Sequence, residues 1–308
     1  MMSTILVVID PDESEHGGLS RITSMPVDVA DFYVELYVER SSTPLREKWM
    51  ASAAGHEVAP QTTNHKLIWL ESLVQPLRDL GYAIETRVIV FDRLYETIIQ
   101  RAAVLHADLI FKPLRQHGFL RRALFSATDW NLVRCCPVPL LLINHANAIH
   151  AKPVIAAVDV DAEDVAHKEL NQIVLSQARQ LADLLNSTVH LVNAYSLSAY
   201  TGLDSTADQL VYQAIQLKQK NQFKSALSMA AKYQIAADQV HLREGAADIV
   251  INDLAREIDA GVIVLGTVAR SGISGLFIGN TAESIMEHTQ SDVVAMKQSD
   301  FISSICPC

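Results

Sequence analysis

The sequence predicts two tandem α/β domains, each an open parallel sheet covered by helices, and three observations carry that prediction. Length is the first: 308 residues, 49% of them hydrophobic and 19% charged, suffice for two cores of ordinary size. An internal repeat is the second. Ile5–Asp10 (ILVVID) matches Val154–Asp159 (VIAAVD) at an offset of 149 residues. Ala107–Phe111 matches Ala260–Val264, and Pro139–Ile143 matches Asp292–Met296, both at an offset of 153. A unit of about 150 residues is too long for a solenoid repeat and the right size for a domain. The third observation is the alternation of short apolar runs with longer amphipathic stretches, the pattern of parallel strands joined by crossover helices.

In the first unit, strands are expected at 4–10, 33–39, 85–91, 108–112 and 139–143. Its first crossover is abbreviated: between Gly17 and Val29 there is room for about two helical turns, interrupted by Pro26, which cannot donate into a helix. Ser126, with Asp129 three residues on, reads as a helix start. The small and polar stretch 144–152 reads as a linker, so the domains are expected at 1–143 and 153–298, with a tail at 299–308. The second unit reads as strand 154–159, helix 165–185, strand 188–194, helix 207–233, strand 238–243, helix 247–258, strand 262–266, a helix from 280 and strand 292–297. The strands are nearly continuous apolar runs, as expected where helices cover both faces of a sheet.

Composition removes several classes of function. The net charge of −10 divides as 14 basic against 17 acidic residues up to position 150 and 11 against 18 beyond it. Neither half carries the basic block that releases counterions from a phosphate backbone, so no direct nucleic-acid partner is expected. Arg121-Arg122 is one small basic spot, read as an exposed pair. No apolar run approaches the ~20 residues of a membrane span. Cys135, Cys136, Cys306 and Cys308 are too few and too clustered for a disulfide framework, which fits a reducing cytoplasm.

Ligands of open parallel sheets bind beyond the carboxyl ends of the strands, where the strand order reverses. Asp159 closes the first strand of the second unit, and the segment Gly266–Thr281 leaves its fourth. Gly266 and Gly279 let backbone approach an anion, and Asn280 or Thr281 can cap a helix whose N–H groups and dipole favour negative charge. Asn280 with Glu283 has the spacing of a capping box. Neither a Gly-Lys-Ser/Thr phosphate loop nor a G-x-G-x-x-G fingerprint is present, and a glycine-rich turn is equally often tight packing.

Gly266-x-x-Ala269, nine residues, then Gly279-Asn280 resembles the nucleotide-binding signature of the universal stress protein superfamily: Gly-x-x-Gly, nine residues, Gly-Ser/Thr. With Thr128-Asp129-Trp130 in the first unit and Leu265–Thr267, Gly272–Ser274 and Gly279–Glu283 in the second, the chain is similar to tandem members of that family over residues 4–297. The resemblance implies two Rossmann-like domains of the adenine nucleotide alpha hydrolase type, paired within one chain as a pseudo-dimer through 139–143 and 292–297, with a further homodimer open. It also implies a cytoplasmic, non-catalytic stress-response protein, with members implicated in resistance to DNA damage. The ligand implied is ATP or another adenine nucleotide, with Mg²⁺. The matching positions are Asp159 near the adenosine and Leu265, Gly266, Val268, Ala269, Gly279, Asn280 and Thr281 around the phosphates.

Two positions depart from the family pattern. Ala269 replaces a glycine, at about 1–2 kcal/mol if the backbone there is left-handed, a five- to thirtyfold loss of affinity by the usual conversion. Asn280 lacks a hydroxyl donor. In the first unit the loop is further changed: Gly266, Ala269, Gly279 and Asn280 correspond to Pro113, Gln116, Ser126 and Ala127. The alternative expectation is a nucleotide-independent scaffold for a protein or hydrophobic ligand, and a slow ATPase is the enzymatic one. The eleven histidines show no metal-binding spacing. Asp161, Glu163 and Asp164 fit a helix start as well as a Mg²⁺ site, Ser271 and Ser274 have no identifiable base, and Cys306-Pro307-Cys308 reads as an unstructured tail.

Overall fold

Ten strands form one sheet that runs through both halves of the chain. The computed structural model describes residues 4–40 apart from Asp12 and Ser14, 59–116, 123–196 apart from Ala146 and Ala148, 208–267, 278–299, and Phe301, Ser303 and Ile305. The first half comprises β1 (Thr4–Ile9), α1 (Gly17–Thr23), β2 (Asp31–Glu39), α2 (Ala59–Asp79), β3 (Ile84–Phe91), α3 (Leu94–Leu105), β4 (Leu109–Pro113), a small hairpin β5 (Arg115–Gln116) and β6 (Ala123–Leu124), α4 (Ala127–Cys135) and β7 (Leu140–Ile143). The second comprises β8 (Val154–Ala157), α5 (Val165–Leu184), β9 (Val189–Tyr195), α6 (Asp208–Lys232), a 3₁₀ turn at Ala237–Gln239, β10 (Val240–Glu244), α7 (Ala247–Glu257), β11 (Val262–Gly266), α8 (Asn280–His288) and β12 (Asp292–Met296).

The strand order is β10-β9-β8-β11-β12-β7-β4-β1-β2-β3. Every pair is parallel except β12 with β7, which run antiparallel with Val293 opposite Leu142 and Val294 opposite Leu141. The expected pairing of the two last strands is therefore the seam of the molecule. It converts two apolar edges, each fully buried, into interior strands. Alternation along each strand sorts the core into two layers. Val7, Phe111, Leu141, Val294, Val264 and Val154 face one set of helices, and Leu6, Ile110, Leu142, Val293, Ile263 and Ile155 face the other.

A cluster of buried polar contacts crosses the seam. Arg21, on the two-turn helix α1, is 1% exposed and donates to Asp292 from Nε (2.5 Å) and Nη2 (3.1 Å). Its remaining donors reach the Asn147 and His145 carbonyls at 2.5 and 2.6 Å. Asp292 also accepts the Asn144 N–H at 3.0 Å. Burial pushes the Asp292 carboxyl up, against the opposing pull of the Arg21 guanidinium. Helix α1, the 144–147 segment and the start of β12 are thus tied at one point.

Two local expectations need correction. Strand β8 stops at Ala157 rather than 159, because the backbone beyond it bonds to side chains: Asp159 N–H to Asn171 Oδ1 (3.1 Å) and Val160 N–H to Asn193 Oδ1 (3.1 Å). The capping box expected of Asn280 and Glu283 is not formed. Gly279 is the N-cap of α8 (φ −64°, ψ 141°), Asn280 is its first helical residue, and the Glu283 N–H bonds the Gly279 carbonyl at 3.1 Å. The Ser126–Asp129 box does form, with the Asp129 N–H on Ser126 Oγ (3.2 Å) and the Ser126 N–H on Asp129 Oδ2 (2.8 Å).

Candidate functional site

The order β9-β8-β11 places a crossover reversal beside β8, and a cavity of about 620 Å³ opens there at the carboxyl ends of the strands. That volume lies in the range of small-molecule sites, about 300–1,000 Å³. Asp159, Leu265, Gly266, Gly279, Asn280 and Thr281 all line it. Val268 and Ala269 lie outside the described residues, as do Ser271, Gly272, Ser274, Arg121, Arg122, Cys306 and Cys308.

The two glycines have different reasons to be glycine. A Cβ on Gly266 would lie 2.4 Å from Leu170 Cδ2 and 2.6 Å from its Cγ, so helix α5 can rest on the end of β11 only because this position has no side chain. Its smallness is accounted for by packing. Among the described residues a Cβ on Gly279 would meet nothing within 4 Å, and its φ of −64° suits any residue. Packing against the described residues and backbone conformation leave this glycine unexplained, and it lines the cavity. Since Gly279 has no side chain to cap α8, the N–H groups of the first turn remain available where Asn280 and Thr281 line the cavity.

The loop bearing Asp159 is held by two buried asparagines that sequence reading did not single out. Asn171 on α5 also donates from Nδ2 to the Asp159 carbonyl at 2.6 Å, and the Asp159 carboxylate accepts the Asp161 N–H at 3.0 Å. Asn171 is 7% and Asn193 3% exposed, and both line the cavity. No sequence motif marks them; only the helix and strand that carry them bring them to one loop. Asp164 is the N-cap of α5, accepting the His167 N–H at 2.9 Å and facing His167 Nδ1 at 2.6 Å. These bonds lower its carboxyl's pKa, the backbone one most. Asp164 is therefore engaged in capping and Asp161 with Gln222 and Lys218. Among the described residues no group of three or more His, Cys, Asp or Glu could hold a metal ion.

Strand register shows what stands at the same place in the first half. Tyr37 occupies the position of Ala194, Lys112 that of Leu265 and Pro113 that of Gly266. At matching places in the helices, Leu94 replaces Ala247 and Asp129 replaces Ala282. Lys112 and Asp129, 5% and 1% exposed, form an ion pair at 3.1 Å. The Tyr37 hydroxyl donates to Glu35 at 2.7 Å, and Arg101 Nε donates to the same carboxylate at 3.0 Å. Burial, then the Glu35 charge, push the Tyr37 phenol well above its ordinary value. Asp10, the counterpart of Asp159, is paired with Arg115 at 2.8 Å. At these matching positions the first half carries larger or charged side chains. At the helix contact the sizes are exchanged: Gly18 of α1 lies near Pro113, where Leu170 of α5 lies over Gly266.

These features define a class: a tandem α/β protein with a cavity at the carboxyl ends of the strands in its second half and bulkier side chains at the matching positions of its first. The chain belongs to the universal stress protein family, whose model matches residues 1–144 and 151–297. Over 98% of its length it is 29% identical to Universal stress protein E of Escherichia coli K12, covering 96% of that protein. It is 31% identical to a Universal stress protein E homolog of Haemophilus influenzae over 62% of each chain. Among solved structures, a functionally unknown protein of Pseudomonas aeruginosa PAO1 matches with TM-score 0.76 and 30% identity, over 97% of this chain and 94% of that one. A universal stress protein from Archaeoglobus fulgidus DSM 4304 matches with TM-score 0.61, over 96% and 98% of the two chains; its 16% identity shows the fold alone. Among the described residues no helix is long and apolar enough to cross a membrane.

Proposed function

We propose that this stress-response protein binds one adenine nucleotide, ATP or a relative of it, in the cavity of its second half and that it acts without catalysis. The supporting observation is that, among the described residues, no side chain caps the α8 N-terminus and neither packing nor backbone requires its N-cap, Gly279, to be glycine. In this reading 1–143 and 153–298 are the two domains, 144–152 the linker and 299–308 the tail. Asp159 lies at the adenosine end; Leu265, Gly266, Val268, Ala269, Gly279, Asn280 and Thr281 surround the phosphates; Mg²⁺ arrives with the nucleotide. The protein works in the cytoplasm and supports survival of stress, DNA damage included. Heating the purified chain with and without millimolar MgATP tests the reading. A raised melting temperature is expected, because a ligand that binds only the folded state stabilises it; an unchanged one, with no nucleotide co-purifying, sinks the idea.

A second reading has its own observation. Leu170, Val174, Ile251, Leu265 and Ile285 make much of the cavity wall apolar, which suits a hydrophobic ligand held without phosphate contacts. Native mass spectrometry separates the two by the mass of what co-purifies.

A further inference from the structure

His167 is the one basic side chain among the described residues lining the cavity, and its ring is held in a defined orientation. It occupies the first turn of α5, three residues before Leu170, four before Asn171 and seven before Val174. All four line the cavity and share one face of the helix. Leu170 rests on Gly266, where β11 ends and the loop toward α8 begins, so His167 stands one turn nearer the cavity mouth on the same side. The Asp164 carboxylate takes the His167 backbone N–H on Oδ1 (2.9 Å) and lies 2.6 Å from ring Nδ1 on Oδ2. A carboxylate only accepts, so Nδ1 carries the proton, and Nε2 is the nitrogen left for a ligand. In the neutral ring Nε2 is a lone pair, which repels a phosphate oxygen; protonation turns it into a charged donor.

We infer that His167 is a proton-dependent phosphate ligand of this cavity, binding a nucleotide's phosphate through Nε2–H when the ring is charged. The inference rests on the nucleotide reading above. Among the described residues, Asp164 on its own cap is bonded to the ring, and Asp159 on the loop after β8 is the acidic residue lining the same cavity. The Lys168 ammonium is turned away to the Glu163 carbonyl at 2.8 Å. From α7 and α8 the cavity receives Ala247, Ile251, Asn280, Thr281, Ala282 and Ile285, none of them charged. A phosphate oxygen accepts a hydrogen bond from Nε2 only when that nitrogen carries a proton, so phosphate affinity follows the second proton of the ring.

Titration calorimetry of the full chain with ATP and with adenosine, at pH 6 and pH 8, tests this in wild type, His167→Gln and Asp164→Asn. Wild type is expected to bind ATP about five- to tenfold more tightly than His167→Gln at pH 6, the size of a half-exposed charge-assisted bond. The two converge at pH 8, and adenosine binds both alike. Comparing variants at equal pH cancels the titration of ATP itself. Asp164→Asn keeps a competent N-cap but removes the carboxylate that holds the ring, and is expected to reduce the wild-type advantage at pH 6. Equal ATP affinity of wild type and His167→Gln at pH 6, or an equal loss with adenosine, overturns the inference. A wild-type chain that binds adenosine but shows no gain from phosphate overturns it while sparing the cavity as a nucleoside site. Binding of neither ligand overturns the nucleotide reading and this inference with it.

Discussion

The charges that most affect stability are buried at the seam, and their two halves behave differently. Arg21 and Asp292 lie 1% and 2% exposed with every strong donor of the guanidinium engaged. Removing one partner strands the other as an uncompensated buried charge, so Arg21→Met is expected to cost about 3–5 kcal/mol, while Arg21→Met with Asp292→Leu recovers much of it. Urea unfolding of the two single variants and the double one checks this; a double variant as unstable as the sum of the singles argues against it. Lys297, just past β12 and 8% exposed, lies over the Phe301 ring at 5.1 Å. Burial lowers its pKa to about 8, with the neighbouring Cys135 and Cys136 opposing. Between that value and the 10.5 of a free lysine, the unfolded chain holds a proton the folded one does not. Stability contributed here is therefore present above 10.5 and lost as pH falls to 8. Lys297→Met should raise stability at pH 7, by up to about 3 kcal/mol, and lose the wild type's increment between pH 8 and 10; melting at both pH values decides it.

At the scale of elements, the contact of α5 with β11 carries the sharpest contrast. Gly266→Ala drives a methyl into Leu170 and is expected to cost about 1–3 kcal/mol of overpacking, whereas Gly279→Ala meets open space and leaves unfolding nearly unchanged. Chemical denaturation of both variants measures the difference. If Gly279→Ala then abolishes the shift given by MgATP, that glycine is kept for ligand. Glycine alone, read in a sequence, does not distinguish these roles, because spacing is silent about what stands above each position. Strand positions were legible from apolar runs because they depend on periodicity, whereas the seam came from the family resemblance, since periodicity is silent about which edges meet. The Ser126–Asp129 cap was legible because it is a local bond. Asn171 and Asn193 were not, being separated by 22 positions and meeting only through the backbone of Asp159 and Val160. The Arg21–Asp292 pair, 271 residues apart, was out of reach for the same reason.

At the scale of the molecule, duplication has allowed the two crevices to diverge without disturbing the shared sheet. In a symmetric pair of identical chains, any residue that fills one crevice fills both. Within one chain, Tyr37, Leu94, Lys112 and Asp129 can close the first while Ala194, Ala247, Leu265 and Ala282 leave the second open. Lys112 and Asp129 neutralise each other at 3.1 Å, and the Glu35, Tyr37 and Arg101 side chains complete a second buried polar group beside them. A ligand entering the first crevice would have to displace a desolvated ion pair and leave its members unpaired, a penalty of several kcal/mol that few contacts offset. One ligand per chain is the expected outcome: calorimetry with ATP should give a stoichiometry near one, and native mass spectrometry a single nucleotide adduct. A charge-free replacement of the pair, Lys112→Leu with Asp129→Ala, copies the second half's residues into the first and should leave the single adduct in place, because Tyr37 and Pro113 still stand where the second half has Ala194 and Gly266. Two equivalents bound to the wild-type chain would show that the first crevice opens despite its filling, and the asymmetry of the halves would then need another explanation.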